Sequence, residues 1–488
     1  MSRVHDRLLA GLRSYAALRL FTQVASWLGT VYVVRELDSH AVGQYGVALV
    51  VFNYLSMVYD GTCIEALVQR PPATRAERRA AFTLLLGLGL LSAGVVAAVS
   101  KPVAQLVGDA TVAPLVAVVA LALLLTSLCV LPHAALAREM AFSKLATIGA
   151  IQAVCVTAAS VFLAYLGAGA WALAAGLLVG AAVRCVLLNA AAFGLVPPTL
   201  HLSPAVGYLR FGGVLFADNV LWRWYTSLDT LLLGRWAGTT LLGFYSLAQQ
   251  VAELPLEKIS TVVNEISLPA YAQLSHDGRA AAQLMLETMR SHATIGFPVF
   301  WGLVAIAPQV IPVVFGQKWS VAIFPLAALA AIAPLRLIGS VETPAMTGLG
   351  HPQVLLKTKL IIAPFMTAAL IAGCWFWGIN GAALAWVTGF PVCYGIAFRY
   401  VLRAAGVSYG QMLAVIRGPA AAAGLMAALV VAANRAALAL SPSLVCGLIV
   451  SIVVGVPAYA LVLRGVDPGA YWLARTRFGR FAGLRQAA

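Results

Sequence analysis

The chain has 488 residues, of which 61% are hydrophobic and 10% charged, and its 32 Lys and Arg outnumber 17 Asp and Glu for a formal net charge of +15. So few polar side chains cannot cover the surface of a soluble domain, which leaves a polytopic membrane protein. In such a protein a basic excess reports topology, and no nucleic acid is expected as a partner.

A bilayer is crossed by roughly 20 apolar residues. Six such spans are read at Tyr15–Val34, Val42–Ile64, Ala80–Ser100, Val112–Leu131, Leu145–Leu166 and Ala170–Phe193. The first follows a basic start but is longer than a signal-peptide core and lacks a cleavage site, so it reads as a retained helix. A second six follow at Phe211–Leu233, Leu241–Leu268, Ala293–Phe315, Val321–Met346, Leu356–Phe376 and Gly381–Val401. Gly418–Leu438 and Leu444–Leu463 close the set. Loops are short, the longest being read from Gln273 to His292. The expected fold class is all-α and polytopic, with about 14 transmembrane helices.

Those spans fall into two copies. Arg35 to Ala48 (RELDSHAVGQYGVA) recurs as Arg235 to Ala248 (RWAGTTLLGFYSLA), with Arg, Gly, Tyr and Ala each returning after 200 residues. Further on, the octet starting at Gly167 (GAGAWALA) is echoed by the one starting at Gly378 (GINGAALA). An even number of spans per copy makes the repeats parallel, related by an axis along the membrane normal. The expected domains are a six-helix bundle over residues 1–194, a second over 195–403, two added helices over 404–464 and a basic tail over 465–488. Basic clusters at Arg3/Arg7/Arg13, Arg70/Arg75/Arg78/Arg79, Arg399/Arg403/Arg417 and Arg464/Arg475/Arg477/Arg480/Arg485 lie on the side holding both termini. By the positive-inside rule that side is cytoplasmic, where these clusters meet anionic headgroups.

No motif calls for chemistry. A nucleotide-binding G-x-x-x-x-G-K-[ST] is missing, and the cysteines show no ligand or redox spacing. Gly406-Val-Ser-Tyr-Gly410 matches a nucleophile pattern that works only on a strand-to-helix turn, and here it lies between membrane helices. No catalytic residue, metal or cofactor is assigned, and the chain reads as a non-enzyme.

What stands out instead is charge inside the spans. Each mid-membrane ionisable group costs roughly 2.5–3.5 kcal/mol. The seventh and eighth spans carry Asp218, Arg223, Asp229, Glu253, Glu257, Lys258 and Glu265. Asp218 and Asp229 share one helical face, as do Glu253, Glu257 and Asn264, and Pro255 among them can open the helix. The first repeat holds Gln23, Asn53, Asp60 and Glu65 at the same places, with Arg19 a turn from Gln23, and the tenth span adds Arg336 and Glu342. These groups either pair to hold helices together, for example Arg223 with Asp218 or Lys258 with Glu253, or line a hydrated cavity. The Trp222–Tyr225 run (WRWY) reads as either a sugar-stacking surface or ordinary packing.

Val33-Val-Arg-Glu-Leu-Asp-Ser-His-Ala-Val-Gly-Gln-Tyr-Gly46 and the stretch from Leu228 to Ala248, followed by Leu254-Pro255 and Leu268-Pro269, give the chain its resemblance to a known family. It resembles the Wzx-type polysaccharide-repeat flippases of the multidrug/oligosaccharidyl-lipid/polysaccharide exporter superfamily. The resemblance implies a bacterial inner-membrane protein that moves an undecaprenyl-pyrophosphate-linked oligosaccharide to the periplasmic leaflet, for exopolysaccharide, capsule or O-antigen assembly. It also implies membrane lipids, a polysaccharide polymerase and export machinery as partners. The family supplies no catalytic signature, so site residues rest on the physical reading. Arg19, Arg223, Lys258 and Arg336 are expected to attract the diphosphate, and Gln23, Asn53 and Trp224 to contact sugar. Asp218, Asp229, Glu253 and Glu257 are expected to titrate or bind a coupling cation. A cation-coupled multidrug exporter and a lipid II flippase are the alternatives, the latter disfavoured because the second span holds no basic residue.

Overall fold

The computed structural model describes residues 22–57, 74–139, 141–192, 197–199, 201, 213–274, 276–440 and 443–472. Arg19, Asp60 and Glu65 lie outside these residues, as does the side chain of Glu265. Every regular element among the described residues is a helix.

In chain order they are α1 (22–36), α2 (Ser39–Ser56), α3 (Arg75–Val107), α4 (Val112–Ser127), α5 (Val130–Arg138), α6 (Phe142–Tyr165) and α7 (Trp171–Ala191). They continue as α8 (Gly213–Trp236), α9 (Gly238–Gln273), α10 (Gly278–Val310), α11 (Ile323–Gly339) and α12 (Glu342–Gly348). Last come α13 (Pro352–Ala404), α14 (Tyr409–Leu440) and α15 (Leu444–Val466). A π turn at Ile311–Phe315 and a 3-10 turn at Gln317–Ala322 join α10 to α11. Nine helical segments among the described residues are long and apolar enough to cross a membrane. Neither α8 nor α9 is in that set, because they carry the acidic, basic and amide side chains already noted.

Local sequence sets the helix ends. Thr74 and Glu77 form a reciprocal capping box at the start of α3, and Gly108, at φ 77°, closes its far end in the left-handed region. Asp277 caps α10 by accepting from the Arg279 and Ala280 amides at 3.1 and 3.0 Å. That cap corrects the expected loop from Gln273 to His292, since most of it is helix. The stretch is too polar for a hydropathy window, yet its helix continues the span beyond the apolar stretch. Similarly, α9 runs unbroken through Pro255 and Pro269.

By the path of its packing the chain divides into two compact units, Met1–Arg223 with Thr230–Gly243, and Trp224–Asp229 with Phe244–Ala488. Within the first unit, α2 meets the start of α9 at backbone contact. A Cβ on Gly43 would lie 1.8 Å from the Thr239 carbonyl oxygen, and one on Gly243 would lie 1.7 Å from the Ser39 carbonyl oxygen. Both pairs are related by the 200-residue interval, so the contact is reciprocal. Beside it the Asp109 carboxylate gathers His40 at 3.0 Å, the Gln44 amide at 3.1 Å and the Thr239 hydroxyl at 3.2 Å. Burial alone would raise the Asp109 pKa, but hydrogen bonds from Thr111 and Gln44, helped by His40, outweigh it and hold the carboxyl below its ordinary value. The stability this adds is therefore present above the ordinary carboxylate range and fades as pH falls through the lowered value. Small residues also seat α7 on α6, where a Cβ on Gly176 would strike the Ser160 hydroxyl at 2.1 Å.

In the second unit, α13 is a hairpin. Non-helical angles at Trp377 and Gly378 (φ 55°) break it, and its arms approach so closely that a Cβ on Gly381 would lie 1.9 Å from the Gly373 carbonyl oxygen. The other echoed octet begins at Gly167, which also turns between two helices at positive φ. Trp375, Phe376 and Trp377 are exposed at the hairpin tip, as aromatic residues at a membrane interface are. The exposed rows of α15, including Val453, Val456 and Leu461, are those of a lipid-facing helix.

Gly43→Ala and Gly243→Ala should each lower stability by roughly 1–3 kcal/mol, because backbone cannot yield to the new methyl as a flexible side chain would. Thermal melts in detergent check this against Gly87→Ala, a helical site with open space around it.

Candidate functional site

The second unit buries a polar cluster built by four helices. On α9, Tyr245, Gln249 and Glu253 recur every fourth residue and so share a face. Across from them α8 supplies Asp229, α11 supplies Arg336 and α13 supplies Trp386. Asp229 Oδ2 accepts from the Tyr245 hydroxyl at 2.7 Å and from the Trp386 indole N–H at 3.0 Å. The guanidinium of Arg336 lies 4.8 Å from the Trp386 ring centroid and donates to Glu253 Oε1 at 3.2 Å. Gln249 donates to the same oxygen at 3.3 Å.

This cluster has a dry end and a wetter one. Asp229 is 0% exposed, whereas the side chains of Arg336 and Glu253 are 12% and 30% exposed. A carboxylate as deep as Asp229 needs donors on its oxygens, and the tyrosine and tryptophan provide them. At the other end, an ion pair with one accessible partner can exchange that partner for a ligand. A second ion pair, Lys359 on α13 with Glu342 on α12, is buried on both sides.

Of the residues singled out from sequence, Asp229, Glu253 and Arg336 are brought together. Glu253 pairs with Arg336 and not with Lys258, which is exposed along with Glu257 about a turn further along α9. Asp218 is buried and Asn53 half-buried, while Gln23 is exposed. The guanidinium of Arg223 stacks 4.9 Å from the Trp222 ring, and its backbone carbonyl accepts from the Tyr54 hydroxyl at 3.1 Å. Trp224 is exposed and donates to the Thr367 hydroxyl at 3.1 Å.

Sequence reasoning missed Tyr245, Gln249, Trp386 and Lys359. Tyr245 carried a signal, since it sits in the duplicated patch opposite Tyr45. Lys359 lies within a predicted span, so the cost argument that selected the other charges applies to it as well. Nothing local marks Trp386, which looks like any tryptophan of a membrane helix.

A sequence profile of the family described as "Polysaccharide biosynthesis protein" matches residues 33–324, more than half of the chain. The chain belongs to this family. Among its relatives, it is 26% identical over 392 residues to the lipopolysaccharide biosynthesis protein WzxC of Escherichia coli (strain K12), covering 78% of each chain. It is also 26% identical over 402 residues to the succinoglycan biosynthesis transport protein ExoT of Rhizobium meliloti (strain 1021), covering 82% of this chain and 81% of ExoT. The fold is similar to that of the lipid II flippase MurJ in an inward closed conformation, with a TM-score of 0.74 at 13% identity, covering 92% of this chain and 98% of MurJ. It also resembles an inward-facing multidrug resistance transporter of the MATE family, with a TM-score of 0.62 at 14% identity over 82% of this chain and 99% of that one. It is thus a multi-pass membrane protein of polysaccharide biosynthesis, and the bacterial relatives it is similar to include one named as a transport protein.

Two predictions follow from the buried partners. Asp229→Leu should strand the Tyr245 hydroxyl and the Trp386 N–H, losing on the order of 1–3 kcal/mol for each, while Asp229→Asn keeps an acceptor and loses less. Melting of the two purified variants gives the ranking. Glu342→Leu or Lys359→Met alone should cost roughly 3–5 kcal/mol by leaving a buried charge uncompensated, and the double variant should recover most of that loss in the same assay.

Proposed function

We propose that this protein flips an undecaprenyl-pyrophosphate-linked oligosaccharide from the cytoplasmic to the periplasmic leaflet by alternating access. The observation that carries the reading is the partly exposed Arg336–Glu253 pair next to buried Asp229. Diphosphate and sugar hydroxyls cannot enter hydrocarbon without partners that replace water. Arg336 is held over Trp386 by a cation–π contact that does not involve Glu253. A diphosphate can therefore take the guanidinium from Glu253, which then needs a proton or a metal cation as its new partner. Substrate binding and ion uptake become linked at one side chain.

In this reading Arg19, Arg223 and Lys258 guide the diphosphate with Arg336, and Gln23, Asn53 and Trp224 face the sugar. Asp218, Asp229, Glu253 and Glu257 form the ion-coupling set, in which Glu253 exchanges its partner while buried Asp229 keeps the bonds that hold its helices. The scaffold is two parallel six-helix repeats over 1–194 and 195–403 with two added helices, about 14 spans in all and both termini cytoplasmic. The reciprocal Gly43 and Gly243 contacts, and the positive-φ turns at Gly167 and Gly378, support the duplicated arrangement.

The test is deletion of the gene with analysis of lipid-linked intermediates and surface polymer. Full-length repeat units should accumulate facing the cytoplasm, and wild-type protein should restore polymer. At equal protein level, Arg336→Ala should cut export by roughly ten-fold, the loss of one charge-assisted hydrogen bond. Full export by Arg223→Ala, Lys258→Ala and Arg336→Ala alike would remove the diphosphate role. Export indifferent to collapse of the proton and sodium gradients would remove the coupling role of the carboxylates.

A further inference from the structure

The second unit holds a cavity of about 690 Å³ well apart in sequence from the Asp229 cluster. It is formed by the first turns of α10, the turn between α12 and α13, and the turn from α13 into α14. Its walls include Arg279, Gln283, Leu286, His351, Arg403 and Gln411, and among the described residues that line it none is acidic. The nearest acids in sequence are otherwise engaged. Asp277 caps α10 through the Arg279 and Ala280 amides, and Glu287 accepts from Gln283 at 3.2 Å.

We propose that this cavity is a binding site for a phosphate-bearing anion, the headgroup of an anionic phospholipid being the form that suits its walls. Neither Arg279 nor Arg403 has a carboxylate partner among the described residues, although each is brought to the same hollow by a different helix. Arg403 sits in the last turn of α13, where a cation suits the helix dipole. Arg279 sits in the first turn of α10, where the dipole does not favour a cation and the Asp277 cap already answers the helix end. The Arg279 and Ala280 amides of that turn are already taken by the Asp277 carboxylate, so what attracts an anion to this hollow is the pair of guanidinium groups brought there by α10 and α13.

The polar neutral groups are placed to help. Gln411 Oε1 already accepts from the Ser408 backbone amide and hydroxyl, at 2.8 and 3.1 Å, which leaves its NH2 group as a donor. Leu286 gives the wall an apolar part that suits the glycerol and upper acyl region of a lipid better than a fully hydrated ion. By the distribution of basic residues this end of the unit lies at the cytoplasmic leaflet, where anionic headgroups are available.

The test uses the purified full-length protein in neutral detergent, probed by native mass spectrometry and thermal shift. One arm adds phosphatidylglycerol or phosphatidylcholine; the other adds inorganic phosphate at constant ionic strength. Phosphatidylglycerol should bind wild type roughly 10- to 30-fold more tightly than Arg279→Ala/Arg403→Ala, with phosphatidylcholine indifferent to the change. Lys144→Ala, an exposed cation elsewhere, should bind like wild type. Should the double variant fold poorly, Gln283→Glu sets a carboxylate on the wall and should weaken binding in the same direction. Arginine-dependent stabilisation by inorganic phosphate without a lipid preference would support the site and assign it to a soluble phosphate compound. Equal phosphatidylglycerol affinity in wild type and double variant, with phosphate inert, overturns the proposal and leaves the two arginines as topology signals. That failure would not touch the flippase reading, which is scored on export.

Discussion

Hydrocarbon gives a polar group nothing to bond with, so every charge placed within this protein's membrane-spanning part must be answered by the protein itself. Three carboxylates of the second unit are answered in three ways. Asp229 receives the hydroxyl of Tyr245 and the indole N–H of Trp386, Glu342 receives Lys359 in a buried pair, and Glu253 shares a half-open pair with Arg336. The first two answers hold helices in register, since removing one partner leaves an unmatched buried group. The third leaves Glu253 30% exposed, and on the proposed reading it is the pair that exchanges partners.

The same lack of solvent explains the use of glycine. Helices in lipid gain nothing from burying apolar surface against one another and depend instead on close packing. Gly43 and Gly243 bring backbone against backbone in the first unit, and Gly373 with Gly381 do so in the α13 hairpin. Near the first of these contacts the Asp109 carboxylate ties His40, Gln44, Thr111 and Thr239 into one knot. Packing provides the approach and the carboxylate fixes its register.

Much of this was legible in the residues alone. The helices were visible because a run of apolar side chains is a local property, and nine helical segments among the described residues are long and apolar enough to cross a membrane. In-span charges were visible for the same reason. Their partners were not, since Arg336 is 83 residues from Glu253 and Trp386 is 157 residues from Asp229. Hydropathy offered Lys258 as the neighbour of Glu253, being only five positions away, but on a helix that spacing turns the two side chains to different faces. The stretch before His292 misled for the opposite reason: its helix is set by the Asp277 cap and by packing of an amphipathic face, and a window tuned to lipid sees neither.

The spacing on α9 also decides what the cluster can do. Tyr245, Gln249 and Glu253 form a single row, so the helix face passes from a dry carboxylate contact to an accessible one over two turns. Were Glu253 as deep as Asp229, taking Arg336 from it would leave a bare charge in a dry interior, a cost of several kcal/mol that no single ligand contact offsets. Were Asp229 as open as Glu253, its bonds to Tyr245 and Trp386 would compete with water and lose their hold on α8 and α13. On the proposed reading, exchange at the wet end is possible only because the dry end keeps α8, α9 and α13 in place while it happens.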